Sequence, residues 1–456
     1  MRIASVLADD IGSQLFNVIF SWSFLQFIIA FLSFFGFVLT SAIILSLAER
    51  KIMGWMQDRL GPIHTGPWGL LQSVADVGKL LMKEDIHAAL TDRSLFLLAP
   101  SVFLAPVIAA FAVIPFSPYI GLPGIALATG IVFYVAMSSL DIVGVIMAGW
   151  SSNNKYSLIG GLRSAAQMIS YELPLVLALV GVVMLTSVLA NAGIGTISVK
   201  GIIDYQSSSV WPGKGIPFWD FIFQGFTPWA WFFLVQPLMF VIYYTCGLAE
   251  TNRAPFDLPE AESELVAGYL TEYSGMRWAF FFLGEYGNMT IVSAIATTLF
   301  LGGWSGPGVA FLTAPGIAFG WQFLGNILAI GYFITKVYLL CFVFIWVRST
   351  MPRLRADQLM QFAWLILIPV TLGNILLTAL IYLILSSFGL SNLVFLIVLG
   401  VVNFIMLAGF IWVISRATVA TTRHAQAPAI LAQRRAAAAQ LPERAGVVSS
   451  SQKLSL

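Results

Sequence analysis

Residues Glu250 to Tyr273 set six carboxylates, Glu250, Asp257, Glu260, Glu262, Glu264 and Glu272, between two strongly apolar segments. The chain has only 21 acidic residues in 456, so about a quarter of them fall in this one loop. Acids near a helix N-terminus are ordinary stabilisers. Pro259 suits a first helical turn, which would put Glu260 and Glu264 on one face just after Asp257. That accounts for one or two of them. Six carboxylates with Arg253 as the only basic residue among them would repel in a site of low dielectric, and some would hold protons at neutral pH. The chemistry such a loop supports is proton exchange.

Ionisable groups inside apolar runs are the next signal, because a charge at mid-membrane costs about 2.5–3.5 kcal/mol even on insertion scales. Asp141, Glu172, Glu285 and Lys336 all fall in such runs. A buried Glu paired with Lys336 would serve helix packing alone, and a lone Asp could stay neutral in a hydrogen bond. Three acids and a base on four segments favour a proton relay instead, since burial moves carboxylate pKa values towards neutrality.

The elements that must position these groups are membrane helices. The chain is 59% hydrophobic, 14% aromatic and 10% charged, far from the roughly 25% charged of soluble domains. A span takes about 20 apolar residues. Nine candidates meet that length: 24–48, 95–115, 124–148, 167–190, 229–249, 279–302, 321–347, 362–386 and 391–414. The expected fold class is all-α, a polytopic membrane helix bundle of nine transmembrane helices. Residues 1–23 form an outer N-terminal segment, 24–414 a single transmembrane domain, and 415–456 a tail without a pattern that could bury a core. The N-terminus lacks a removable signal pattern, so the spans are expected to direct insertion. With nine crossings, the loops 49–94, 149–166, 250–278 and 348–361 and the tail share one side and hold 19 of the 23 Lys and Arg residues. By the positive-inside rule that side is cytoplasmic, which puts the N-terminus outside.

The sequence shows no phosphate-binding glycine loop, no CxxC pair and no His cluster, and Cys246 and Cys341 sit in separate spans as packing residues. Nucleotide, haem, iron–sulfur and metal sites are therefore unsupported, and nothing points to nucleic acid. The opposite-side connections, such as Gly302 to Gly308, read as plain linkers. The first cytoplasmic loop opens with Glu49-Arg50-Lys51. From Trp68 to Lys83 it carries Leu70, Leu71, Val74, Val77, Leu80 and Leu81 at helical spacing opposite Gln72, Asp76 and Lys79. Such an amphipathic helix lies on a membrane surface or against a partner. Basic residues at a membrane boundary follow from topology alone, but Glu49 does not. Together with Trp55 and Trp68 these groups frame an entrance for a lipid-soluble molecule with a polar head.

Several motifs occur in order: Ala48-Glu49-Arg50-Lys51, Asp58-Arg59-Leu60-Gly61-Pro62, Gly69-Leu70-Leu71-Gln72 with Ala75-Asp76 and Lys79, Ser152-Asn153-Asn154-Lys155-Tyr156, Ile169-Ser170-Tyr171-Glu172, the Glu250 loop, and Arg348 to Met360. Over residues 35–362 the chain resembles the family of quinone-chamber membrane subunits of bacterial NADH:quinone oxidoreductase, the respiratory complex I. The resemblance implies a cytoplasmic (inner) membrane subunit that joins the peripheral electron-transfer arm to the membrane arm. Quinone, ubiquinone or menaquinone, is then the substrate, no redox cofactor is carried, and FMN and iron–sulfur clusters belong to partner subunits. The partners are the peripheral quinone-site and terminal iron–sulfur subunits, the small membrane subunits, the antiporter-like subunits and membrane lipid. By resemblance Glu49, Arg50, Arg59, Asp76 and Lys79 belong to the quinone entrance and chamber. Asp257, Glu260, Glu262, Glu264 and Glu272 line its inner part, with Arg253, Arg348 and Arg353 supplying positive charge. Glu172, Glu250 and Glu285 match buried acids linking the chamber to the pumping subunits. Ser73, Leu354 and Ala356 depart from the family pattern by losing rigidity or stacking, and not charge. Asp141 matches no family motif, and the ninth span and tail exceed an eight-helix core.

Two other readings fit the same residues. A hydrogenase or other quinone-linked complex could use a similar anchor, although the complete Glu49 to Lys79 motif favours a quinone user. A stand-alone ion-coupled transporter would suit the buried charges, but the chain shows no internal repeat of the acidic loop or the Asn-Asn-Lys motif.

Overall fold

The computed structural model describes residues 22–86, 88–119, 127–189, 195–207, 231–257, 266–313, 319–389 and 394–416. Residues Met1–Gly400 and Val401–Leu456 separate into two compact units. Among the described residues all regular structure is helical, as the apolar runs require: with no water to bond the backbone, each span must satisfy its own amides and carbonyls. Among the described residues eight helices are long and apolar enough to cross a membrane, and the chain is a multi-pass membrane protein.

In chain order the first unit runs from α1 (Trp22–Met56) through the short α2 (Gln72–Met82) to α3 (Arg93–Ala110), α4 (Gly130–Ser151) and α5 (Lys155–Leu189). It continues with α6 (Val199–Ser207), α7 (Phe232–Val235), α8 (Pro237–Glu250), α9 (Gly275–Phe300), α10 (Val309–Leu312) and α11 (Phe319–Thr350). A last helical stretch joins α12 (Ala356–Gln361), a π-helical turn at Phe362–Leu367 and α13 (Ile368–Ser387). Helix α14 (Val394–Arg416) crosses the division between the units. The expected fifth span, 229–249, is not one continuous helix over its described part. Gln236 leaves helical geometry (φ −131°, ψ 61°) and Pro237, which has no backbone N–H to give, starts α8 afresh.

Helix α9 is the centre of the first unit. In its apolar window 83% of residues are buried, against 22–56% in the other spanning helices. It packs on α1, α2, α3, α6, α8 and α11, while α5 packs on α4, α8 and α13. Small residues permit these approaches. A Cβ on Gly160 of α5 would come within 2.6 Å of Gly268 Cα, so this glycine lets the end of the acidic loop sit directly on the helix.

The amphipathic helix α2 begins later than its sequence pattern suggests. Leu70 and Leu71 precede it, because Gly69 turns the chain at φ +73° against the Pro62 carbonyl, which a Cβ would meet at 2.1 Å. No side chain fits there. Leu70, Leu71, Val74, Leu81 and Met82 are exposed, consistent with an apolar face turned to lipid or a partner.

Candidate functional site

The end of α1 sends consecutive side chains in two directions. Arg50 pairs with Asp76 of α2, whose other oxygen accepts from Gln72 Nε2 at 3.1 Å. Lys51 Nζ donates to the Trp68 carbonyl at 2.6 Å, and Ser46 and Ser73 share a hydrogen bond of 3.0 Å. These contacts fasten α2 against α1. Between them and the first turns of α9 lies a cavity of about 420 Å3. Its walls are Phe35, Leu39 and Ile43 of α1, Val77 and Leu80 of α2, and Met276, Trp278, Ala279 and Phe282 of α9, with Arg50 and Asp76 also lining it. An apolar cleft with a few convergent polar groups, in the size range of ligand pockets, suits a long apolar molecule with a polar head. A second cavity of about 440 Å3 between α4 and α5 is lined by Val135, Val176, Val183 and similar residues, with Ser187 but no charged group.

Glu49, 4% exposed, turns the other way. It pairs with Arg348 of α11, accepts from Arg253 Nη1 at 3.3 Å, and accepts from the Tyr286 hydroxyl at 2.6 Å. Arg253 is itself 6% exposed and also reaches Glu285 Oε2 through Nη2 at 3.4 Å, while its guanidinium lies 4.3 Å from the Tyr286 ring centroid. The Tyr269 hydroxyl donates to the other Glu285 oxygen at 3.3 Å. Charge-assisted bonds to one carboxylate are usually about 2.7–2.9 Å. Two contacts of 3.3 and 3.4 Å describe a guanidinium shared between Glu49 and Glu285. It thus joins a residue expected in the quinone chamber to one expected in the proton path.

The backbone that carries Arg253 is clamped by Gln167 of α5, whose Nε2 donates to the Ala249 and Phe256 carbonyls, both at 2.8 Å. At its far end Asp257 pairs with Arg353 at 2.8 Å. Burial pushes the Asp257 carboxyl up, opposed by its hydrogen bond to Arg353 and by the charges of Arg353, Arg348 and Arg253. Glu272, at the loop's return, accepts from Asn154 Nδ2 at 2.8 Å, which gives the Asn-Asn-Lys motif a positioning task. Glu260, Glu262 and Glu264 lie outside the described residues.

The remaining candidates make other contacts. Glu172 of α5 accepts from the Ser139 hydroxyl of α4. Glu250 closes α8 as a buried group, and Asp141 of α4 accepts from Asn288 Nδ2 of α9 at 2.7 Å. Arg59 is exposed and donates to Gln57, and Lys79 is exposed. Lys336 of α11 is bound by carbonyls rather than a carboxylate: Leu301, Gly303 and Ser305 accept from its Nζ at 2.8, 3.0 and 2.8 Å, and the Trp231 ring centroid is 4.5 Å away. An ammonium has three donors, so the Gly302 to Gly308 linker is a cage built around this lysine. Lys336→Met should destabilise the purified assembly by about 2–4 kcal/mol through unpaired carbonyls, read as a lower unfolding midpoint. An unchanged midpoint would contradict that role.

Sequence reasoning missed Tyr286, Tyr269, Ser139, Asn288 and Gln167. Only Tyr286 carried a local signal, its position directly after Glu285.

The profile of the NADH dehydrogenase family matches residues 29–379. A relative from Brevibacillus brevis, named as the H subunit of NADH-quinone oxidoreductase, is 46% identical over 364 residues, covering 79% of this chain and 95% of the relative. The chain belongs to this family. A Geobacter sulfurreducens relative, named as H subunit 1 of NADH-quinone oxidoreductase, is 43% identical and covers 76% of the chain and 92% of the relative. One from Dehalococcoides mccartyi, again named as the H subunit, is 45% identical over 76% of the chain and 84% of the relative. The matched region of this NADH dehydrogenase family member takes in the cavity, the Arg253 cluster and every buried acid described above.

Proposed function

We propose that the chain is the membrane subunit of a proton-translocating NADH:quinone oxidoreductase that receives quinone in the cavity between α1, α2 and α9. Its buried carboxylates couple quinone reduction to proton translocation. The observation that carries this reading is the divergence of Glu49 and Arg50: Arg50 faces the cavity while Glu49 grips the arginine shared with Glu285. Electrons come from peripheral partner subunits that bear FMN and iron–sulfur clusters, and this chain supplies binding and electrostatics. The subunit sits in the bacterial inner membrane with its N-terminus outside, and Arg59, Lys79 and the acidic loop face the peripheral arm.

Reduction of a quinone to a quinol takes up a pair of electrons and a pair of protons. Negative charge developing on the head group is stabilised by fixed cationic groups such as Arg50. A carboxylate that gives up its charge by protonation weakens its claim on a shared guanidinium, so Arg253 shifts towards the other acid. Neutralising Glu49 therefore favours ionised Glu285, and the reverse holds equally. Glu172 and Glu250 carry the changed proton affinity onward, and Lys336 serves the turn that cages it.

Asp257→Asn and Glu250→Gln should each lower quinone reduction and proton translocation about tenfold in the assembled complex. Electron transfer from NADH to a hydrophilic artificial acceptor should be unchanged, because that path ends in the partner subunits. Unchanged quinone reductase activity in both variants would overturn the reading. Flux of ions through the isolated chain in liposomes would favour a transporter instead.

A further inference from the structure

Asp141 has no place in the motifs that identify the family, yet it is the most deeply buried acid described, 1% exposed in the middle of α4. Its Oδ2 accepts from Asn288, while Oδ1 has no hydrogen-bond partner in the protein. Glu250, 7% exposed, likewise leaves Oε2 without one. Both residues border the same cavity of about 10 Å3, together with Tyr134, Ser138, Asn288 and Val292. Buried polar atoms without partners are rare and costly. A cavity of this volume is about the size of a single water site, and a buried water needs about 2–4 polar partners, which Asp141, Glu250, Ser138 and Asn288 on its mostly apolar wall can supply.

We propose that Asp141 and Glu250 hold one exchangeable proton between them across a single bound water, which makes Asp141 a working member of the proton path; the inference rests on the function proposed above. Two ionised carboxylates facing one small cavity in a low-dielectric interior repel, and one shared proton removes half of that charge. Transfer conserves every bond type: the protonated carboxyl gives its proton to the water oxygen as the water gives one of its own to the other carboxylate. The water is left unchanged and the proton has moved between α4 and α8. Asn288 fixes the Asp141 carboxyl plane, and the Tyr134 hydroxyl is held at 3.3 Å from that of Tyr243, which itself donates to the Val292 carbonyl.

The test uses the intact complex in proteoliposomes. Asp141→Asn keeps the shape and loses the proton. It should reduce NADH-driven quinone reduction and proton translocation about tenfold, with electron transfer to an artificial acceptor unchanged and Asp141→Glu restoring most of the loss. In infrared difference spectra, the deuterium-sensitive band of a protonated buried carboxyl should vanish in both Asp141→Asn and Glu250→Gln, since one proton serves both groups. Full pumping in Asp141→Asn beside impaired Glu250→Gln overturns the shared site and leaves the proposed function standing. Full pumping in both overturns the shared site, and with Asp257→Asn also unimpaired it removes the function as well. If Asp141→Asn does not assemble, Ala110→Val, which narrows the same cavity and spares both acids, must reproduce the loss. Wild-type rates in that variant overturn the proposal.

Discussion

Arg253→Met is expected to lower quinone reductase activity by about two orders of magnitude while NADH oxidation by an artificial acceptor persists. The substitution keeps bulk and removes the guanidinium that Glu49 and Glu285 share, so that Glu49 keeps Arg348 and the buried Glu285 loses this cation. Removing one partner from a buried ion pair costs about 3–5 kcal/mol, and every ~1.4 kcal/mol is about tenfold in an equilibrium. Part of that cost falls on folding. The double variant that adds Glu285→Gln removes the carboxylate that lost its arginine while Glu49 keeps Arg348, and should recover assembly, but it should not recover quinone reduction, because nothing then transmits a change of charge. Recovery of both would reduce Arg253 to a structural clamp. Steady-state rates on purified complexes, with subunit content measured in parallel, separate these outcomes.

The second large effect is steric. Ala279 lines the cavity at the start of α9, and Ala279→Trp places an indole where a quinone is proposed to pass. The KM for quinone should rise about tenfold, with a smaller change in kcat, as expected when binding shared by ground and transition states is lost. Val183→Trp fills the other cavity, which has comparable volume but no charged lining. It should leave the quinone KM unchanged. Equal effects from the two substitutions would argue that bulk in the membrane domain, and not obstruction of a particular route, lowers activity.

Much of this architecture is legible in the sequence, and the reasons differ by residue. Long apolar runs cannot be other than helices in lipid, so the spans and the all-helical class follow from hydropathy. The interruption at Gln236–Pro237 is visible only as a proline, which composition alone treats as tolerable within a span. Arg253 stands out as the sole cation in an acidic loop, but its two partners come from α1 and α9, and pairings of that kind depend on how helices pack. Of the tyrosines around Glu49 and Glu285, Tyr286 is marked only by following Glu285, and Tyr269 looks like any other buried aromatic in sequence. Lys336 shows the limit most clearly. A lone cation in an apolar run must find acceptors, and sequence cannot tell whether they are carboxylates or, as here, the backbone of a glycine-rich turn.

Charge at Glu49 and charge at Glu285 are held to be linked through one arginine, and the coupling turns on that link. The most direct test is NADH-driven proton translocation and quinone reduction in proteoliposomes containing Glu285→Gln complex. Under the proposed coupling, quinone reduction and proton translocation should fall together, by about tenfold, with transfer to an artificial acceptor at wild-type rate. Both activities at wild-type rate in a fully assembled Glu285→Gln complex would contradict it.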